Sequence, residues 1–294
     1  MLNVSHLKCY NLPQDLLENE QRNDNEVLIK AYRAACNTVN NKIILHQNMI
    51  NLLVRGSKTI VYAEETATIT SDSFLILSTG NCLTSELVPH EGTFASILIY
   101  FTNDVLTDFL AKHESGQHKL AAQQQRKPFL CYEQDAFIRN YITSLTLMLD
   151  AGSVIPAEFK LHKLEELLLY LLYQDPAKLN SLLVLAHHND DMNLRRAVET
   201  NVGQNITVEQ LAFLCNTSPS TFKRRFQRIY HTSPQKWFIE QKMKMAAELL
   251  KHPQERPGQV FFKIGYENHS SFSETFKQQY GLSPKDYQAQ FMVL

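Results

Sequence analysis

The sequence predicts an α+β protein in two parts, a β-rich half with following helices and then a wholly helical segment. Three observations carry that expectation. Short apolar or alternating runs punctuated by glycine fill the stretch from Lys42 to about Thr102, which is the texture of strands. Helical periodicity replaces it after Thr102. One aromatic spelling then occurs twice: Phe222, Phe226, Tyr230, Ser233, Pro234 and Trp237 are answered fifty residues later by Phe272, Phe276, Tyr280, Ser283, Pro284 and Tyr287, and Ser220 by Ser270. A chain of 294 residues suits two domains. The boundary is expected near HHNDDMN, where apolar periodicity lapses, giving domains 1–188 and 189–294.

In chain order, residues 1 to about 40 are polar and irregular and read as a loosely held arm or a short helix with no chemistry of its own. The runs KIILH, MINLLV, KTIVYA, TATIT, SFLILS, ELVPH and FASILIYF follow, separated by Gly56-Ser57, Thr79-Gly80-Asn81 and Glu91-Gly92. That spacing predicts an antiparallel sandwich or barrel over about 42–102, with a hairpin at Arg55-Gly56-Ser57; it fits a small cupin-like antiparallel β barrel. Helices are expected over about Asn103 to Lys112, Glu133 to Leu149, Pro156 to Tyr173 and Pro176 to His187. The third carries Leu161, Leu164, Leu168 and Leu171 or Leu172 at helical spacing, read either as core of this half or as a dimerisation face.

In the C-terminal part, aromatics at i, i+4 and i+8 fall along one stripe of a helix and leave the opposite face free. In the first copy that face holds Lys223, Arg224, Arg225 and Arg228, the charge expected of a helix that meets phosphate. Thr207 caps a short helix containing Leu211 and Ala212; Cys215-Asn216-Thr217 makes a turn in which Asn216 tolerates the left-handed conformation; Ser218-Pro219 opens the basic helix. The second copy repeats the order with Val260 to Ile264, Gly265 in the turn, Asn268 as cap, and Gly281 at the helix end. Helix, tight turn and helix is a helix-turn-helix. Between the copies, Ser233-Pro234 opens a linker helix whose span of about 27 Å suits two recognition helices about one DNA turn, about 34 Å, apart.

Composition narrows the alternatives. From Asp190 to Leu294 there are 14 Lys+Arg against 10 Asp+Glu, a balance of +4; the rest of the chain has 15 against 20, or −5. The sign split supports a nucleic-acid-facing C-terminal part and an acidic N-terminal part with another job. Five scattered cysteines without a C-x-x-C pair fit reduced thiols in the cytoplasm. The start MLNVSHLKCYNLPQD has no signal-peptide pattern, and no run approaches the roughly 20 apolar residues of a membrane span. His46, His90 and Glu91 are the nearest thing to a metal set in the β-rich half, and their spacing matches no ligand pattern, so no metal, cofactor or catalytic residue is expected. No cysteine stands in an electropositive setting suited to alkyl transfer. The alternative of a cupin-type enzyme fused to a DNA-binding domain lacks its constellation.

About Leu194 to Phe291 resembles the DNA-binding domain of the AraC/XylS family of bacterial transcription regulators. The resemblance rests on Leu211-Ala212, Ser218-Pro219-Ser220, Phe222, Phe226, Ser233-Pro234, Ala246 to Leu250, Ile264-Gly265-Tyr266, Ser271-Phe272, Phe276-Lys277, Tyr280-Gly281, Ser283-Pro284 and Tyr287. It implies double-stranded DNA as partner, with base-facing residues at Ser220, Lys223 and Arg224 in one recognition helix and at His269, Ser270, Ser273 and Glu274, with Lys277 beside them, in the other. Lys223 and Arg224 suit guanine O6 and N7, and Arg225 and Arg228 suit phosphate. Glu274 has the wrong sign for phosphate but suits a cytosine amino group as an acceptor, and Phe261 stands where the first copy has the small Ala212. The resemblance further implies RNA polymerase as a partner and an activator whose N-terminal half senses a small-molecule effector, dimerises as a homodimer or docks a regulatory protein. The texture of residues 42–110 resembles, more loosely, type III secretion activators, where a partner protein governs activity.

Overall fold

The computed structural model describes residues 9–17, 27–113, 127–152, 154–182 and 190–291. The chain divides into two compact units, Met1–His188 and Asn189–Leu294.

In the first unit, strands β1 (Cys9–Leu12), β2 (Leu28–Ala34), β3 (Thr38–Leu45), β4 (Asn48–Arg55), β5 (Ser57–Val61), β6 (Thr66–Ile69), β7 (Ser73–Leu77), β8 (Gly80–Leu87), β9 (Phe94–Phe101) and β10 (Phe129–Glu133) form two five-stranded sheets. Their orders are β1-β3-β8-β5-β6 and β10-β7-β4-β9-β2. Helices α1 (Asn103–His113), α2 (Ala136–Asp150), α3 (Ala157–Gln174) and α4 (Pro176–Asn180) follow or intervene. The α+β class is as expected. Each sheet keeps two edge strands, however, so the barrel is an unclosed sandwich, and β1 lies parallel to β3.

Side-chain alternation builds the layers. Leu75 and Leu77 of β7 point between the sheets, toward Ile43, Ile60 and Cys82 of the opposite sheet. Phe74 and Ile76 point the other way, into a core with Leu106, Ile138 and Leu164 of the helices. The second sheet is therefore covered on both faces, which is why MINLLV and FASILIYF read as nearly unbroken apolar runs. Leu164, Leu168 and Leu171 are buried in that helix-side core, and Leu161 lies on the surface. The leucine stripe of α3 is core.

Three expectations are corrected. The loosely held arm or short helix expected over residues 1 to 40 has one 3-10 turn, Gln14–Leu16, but also contains strands β1 and β2, with 1–8 and 18–26 outside the described residues. The helix expected from Glu133 begins at Ala136, because Phe129–Glu133 pairs with β7 and Asp135 caps the helix by accepting from the Ile138 N–H. Arg55-Gly56-Ser57 is not a hairpin: β4 pairs with β7 and β9, β5 with β6 and β8, and the chain crosses from one sheet to the other at Gly56. Only glycine fits that crossing. Its φ is +97°, and a Cβ would lie 2.7 Å from the Leu87 carbonyl oxygen and 2.8 Å from the Phe94 ring. Of the helix expected to end at His187, α4 is seen and 183–187 lie outside the described residues.

The second unit is helical: α5 (Asp190–Thr200), α6 (Val208–Leu214), α7 (Pro219–Tyr230), α8 (Pro234–Leu250), α9 (Pro257–Lys263), α10 (His269–Tyr280) and α11 (Pro284–Ala289). The punctuation is as expected. Thr207 and Gln210 form a reciprocal capping box; Ser218, Ser233, Asn268 and Ser283 each accept from a backbone N–H of the following helix. Asn216, Gly265 and Gly281 have φ of 50°, 72° and 77°. Helix α5, unanticipated, adds buried Leu194, Ala197 and Val198 and packs on α6 and α7. The aromatic stripes are scaffold, with Phe222, Phe226, Phe272 and Phe276 fully buried. Phe261 lies half-buried at the margin of the second core, edge-on to His269.

Candidate nucleic-acid interface

On α7, Ser220, Lys223 and Arg224 are exposed and lie within an arc of about 100°, since successive residues turn by about 100°, while Phe222 and Phe226 hold the opposite side in the core. The burial of that stripe orients the basic face. Ser218 Oγ accepts from the Thr221 N–H at 3.2 Å and lies 3.0 Å from Ser220 Oγ, so the predicted base-facing hydroxyl sits at the capped helix start. Lys223 Nζ lies 3.9 Å from a Glu209 carboxylate oxygen on α6. Arg224 has no ionic partner among the described residues.

The other two cations are placed differently. Arg225 is half-buried. Arg228 Nη2 donates to both carboxylate oxygens of Asp191, each at 2.7 Å, which ties the recognition helix to the first turn of α5. Both side chains remain largely solvated, at 65% and 45% exposure.

On α10, His269, Ser270, Ser273, Glu274 and Lys277 span an arc of about 140°. Ser273 is half-buried with its Oγ 3.5 Å from His269 Nδ1, and the other four are exposed. One acid and one base give this face no net charge, against the surplus of cations on α7. Linker α8 belongs to both motifs. Trp237 packs against Phe226 and Tyr230 of the first, while Met243, Ala246, Ala247 and Leu250 lie in the core of the second. A cleft of about 830 Å³ separates the motifs, with Lys223 and Gln227 on one wall, Asn268 and Ser271 on the other, and Phe238 and Lys242 among its lining.

Sequence reasoning missed Asp191, Glu209 and Lys242. Asp191 was hidden because HHNDDMN reads as a break, although Leu194, Ala197 and Val198 already stand at helical spacing. The approach of Glu209 to Lys223 and of Lys242 to the second motif are tertiary facts with no local signature.

The first unit carries its own polar centre. Between the sheets, Lys58 Nζ pairs with Glu86 Oε1 at 2.9 Å, both nearly fully buried, and the Tyr32 hydroxyl donates to Glu86 Oε2 at 2.9 Å. Desolvation, reinforced by Glu86, raises the Tyr32 phenol well above its ordinary range. Burial pushes the Cys82 thiol up to about 12, against the opposing pull of Lys58 and a hydrogen bond with Tyr62. Asn51 and Ser96 lie on the inward faces of β4 and β9, in alternation with Met49, Leu53 and Leu98. The Asn51 carboxamide, Ser96 Oγ and the Tyr100 hydroxyl are buried without a hydrogen-bond partner. His46 Nε2 lies 3.1 Å from Asn11 Oδ1, while His90 and Glu91 are exposed beyond β8. Among the described residues no three His, Cys, Asp or Glu side chains are placed to hold a metal, and no helix is long and apolar enough to cross a membrane.

Residues 48–182 match the model of the ExsA N-terminal regulatory domain, and residues 211–290 match a helix-turn-helix domain. The transcriptional regulator AlkR of Acinetobacter baylyi is 34% identical over 110 residues, 37% of this chain and 36% of AlkR, so this chain spans about a third of that relative. The virulence regulon transcriptional activator VirF of Yersinia enterocolitica is 22% identical over 255 residues, 83% of this chain and 90% of VirF. Among solved structures, fatty acid-bound ToxT of Vibrio cholerae aligns over 91% of this chain and 97% of its own at 15% identity, with a TM-score of 0.41.

Proposed function

We propose, from the premise that this chain belongs to the AraC/XylS family of sequence-specific DNA-binding transcription regulators, that it is a cytoplasmic activator that grips DNA unequally through its two recognition helices. The observation that carries this reading is the exposed Ser220, Lys223 and Arg224 face on a capped, core-anchored helix, set against the charge-balanced face of α10. Lys223 and Arg224 donate to guanine edges in a major groove, Arg225 and Arg228 meet phosphate, and α10 makes a weaker, conditional contact through His269, Ser270, Ser273, Glu274 and Lys277. The activator sense is supported by similarity to VirF along most of the chain. Activation requires RNA polymerase as a partner.

The N-terminal unit is read as the regulatory half, as the match to the ExsA regulatory domain supports. Asn51, Ser96 and Tyr100 favour a small polar effector held between the sheets, because a buried polar group without a partner costs about 1 to 3 kcal/mol that a bound ligand would recover. Control by a regulatory protein or through a homodimer is the second reading, favoured by exposed Phe159, Leu169 and Tyr173 on α3. The relatives matched are transcription regulators, and we assign the chain no catalytic step. The test is substitution on α7. Arg224→Ala is expected to weaken specific binding by about 1 to 3 kcal/mol and relax one base preference, whereas Arg228→Ala mainly lowers the dependence of affinity on salt. Equal losses on cognate and random DNA for both variants would defeat the assignment.

A further inference from the structure

Resting on the DNA-binding reading above, we infer that Lys242 is a positioning residue that fixes the angle of the second recognition helix relative to the first, and so sets which half-site spacing the protein accepts. Lys242 lies midway along α8, half-buried, and its Nζ donates to the Gly265 carbonyl at 3.2 Å. Its Nζ is 5.8 Å from the centre of the Tyr266 ring. Gly265 is the left-handed turn residue of the second motif, and Asn268, the cap of α10, follows three residues later. Whatever holds that turn therefore sets the direction of α10.

The same turn also touches the first motif. A Cβ on Gly265 would lie 3.2 Å from the Gly203 carbonyl oxygen and 3.2 Å from Lys242 Nζ, so its bare backbone admits both. Gly203 belongs to the connection leading from α5 to the capped start of α6, and a Cβ on it would lie 3.3 Å from Met245 Cε of the linker. At the rim, Asn205 Nδ2 donates to Glu267 Oε1 at 3.4 Å. Three elements thus converge at one point: the entry to the first motif, the linker helix and the inner turn of the second. The apolar contacts of α8 through Met243, Ala246 and Ala247 hold the second motif on the linker but are non-directional. The ammonium-to-carbonyl bond is directional and shielded, so it selects one rotation. Burial lowers the Lys242 pKa from its ordinary value, in keeping with an ammonium committed to a single neutral acceptor.

The experiment uses the full chain and a duplex recovered from a random DNA pool by the unsubstituted protein, together with versions carrying one base pair inserted or deleted between the two protected segments. Each base pair shifts the second segment by about 3.4 Å and turns it by about 34°. Unsubstituted protein is expected to lose at least about tenfold in affinity on either change. Lys242→Met keeps the stem over Tyr266 and deletes the donor; it is expected to bind the parent duplex about five- to tenfold more weakly yet differ by less than about threefold across the three spacings. Lys242→Arg restores the spacing preference. A Lys242→Met protein with the spacing profile of the unsubstituted chain overturns the assignment, because a merely stabilising lysine changes affinity at every spacing alike. Should Lys242→Met fail to fold, Lys242→Gln goes through the same series under the same criterion. Recovery of no preferred duplex by the unsubstituted chain defeats the regulator reading itself and takes this assignment with it, whereas matching profiles defeat the assignment alone.

Discussion

Replacing Asp191 with Asn is expected to strengthen DNA binding. In the free protein Arg228 Nη2 holds both Asp191 oxygens at 2.7 Å, and an incoming phosphate must displace that carboxylate. An ion pair this exposed is worth about 0.2 to 1 kcal/mol. Once displaced, the carboxylate stays near the phosphate, and two like charges about 6 Å apart in water repel by about 0.7 kcal/mol. Removing the charge therefore gains about 0.9 to 1.7 kcal/mol, roughly five- to twentyfold in affinity. The added net positive charge also steepens the plot of log affinity against log salt by up to about 0.9. Fluorescence anisotropy with a labelled duplex between 50 and 200 mM salt reads both quantities, and screening makes the gain largest at the lowest salt. An Asp191→Asn protein with unchanged melting temperature, unchanged affinity and an unchanged slope would refute the reasoning, since Arg228 would then not face phosphate.

Three further outcomes are expected. Glu274→Ala raises affinity for all sequences by up to about fivefold if its carboxylate repels phosphate; a loss of about 1 to 3 kcal/mol confined to one base pair in competition binding would make it a base reader instead. Glu86→Gln strands the buried Lys58 ammonium and lowers stability in urea unfolding by about 3 to 5 kcal/mol, while the double change Lys58→Met with Glu86→Leu recovers most of it; a Glu86→Gln loss below about 1 kcal/mol would show the pair is solvated. Cys82 resists iodoacetamide in the native protein at pH 8 while exposed Cys9, Cys36 and Cys131 react. Because folding raises its pKa, the folded state favours the protonated thiol, a contribution present below the ordinary thiol range and lost as pH rises toward about 12. Labelling of Cys82 as fast as Cys36 by mass spectrometry would contradict its burial.

The helical unit was legible because its signals are local. Ser218-Pro219, Asn216, Gly265 and Gly281 specify caps and left-handed turns within a few residues, and all four appear in the structure as read. In the β-rich unit β3 to β9 were legible as the punctuated runs from KIILH to FASILIYF, whereas β1, β2 and β10, outside that stretch, were not. β2 is an edge strand in which Lys30 interrupts the alternating Leu28, Tyr32 and Ala34 that pack on the core, so its residue types do not announce a strand. β10 is five residues long and runs almost directly into α2. The crossing at Gly56 was misread because Arg-Gly-Ser looks the same in a hairpin and in a passage between sheets. Its meaning depends on partners far away in sequence, and the same holds for Asp191 on Arg228 and for Lys242 on Gly265.

The crossing at Gly56 also bears on how the chain folds. Since β4 and β5 lie in different sheets, β5 closes a short hairpin with β6, but the remaining pairings reach far along the chain: Ile50 of β4 pairs with Ile99, 49 residues away, and Ile60 of β5 pairs with Thr84, 24 residues away. Closing loops of that length before any pairing is rewarded makes the β-rich unit the slow folder, whereas the helices of Asn189–Leu294 form from local contacts. The helical unit is thus set to reach its native state through local contacts, whereas the β-rich unit ahead of it must first bring together strands far apart in sequence.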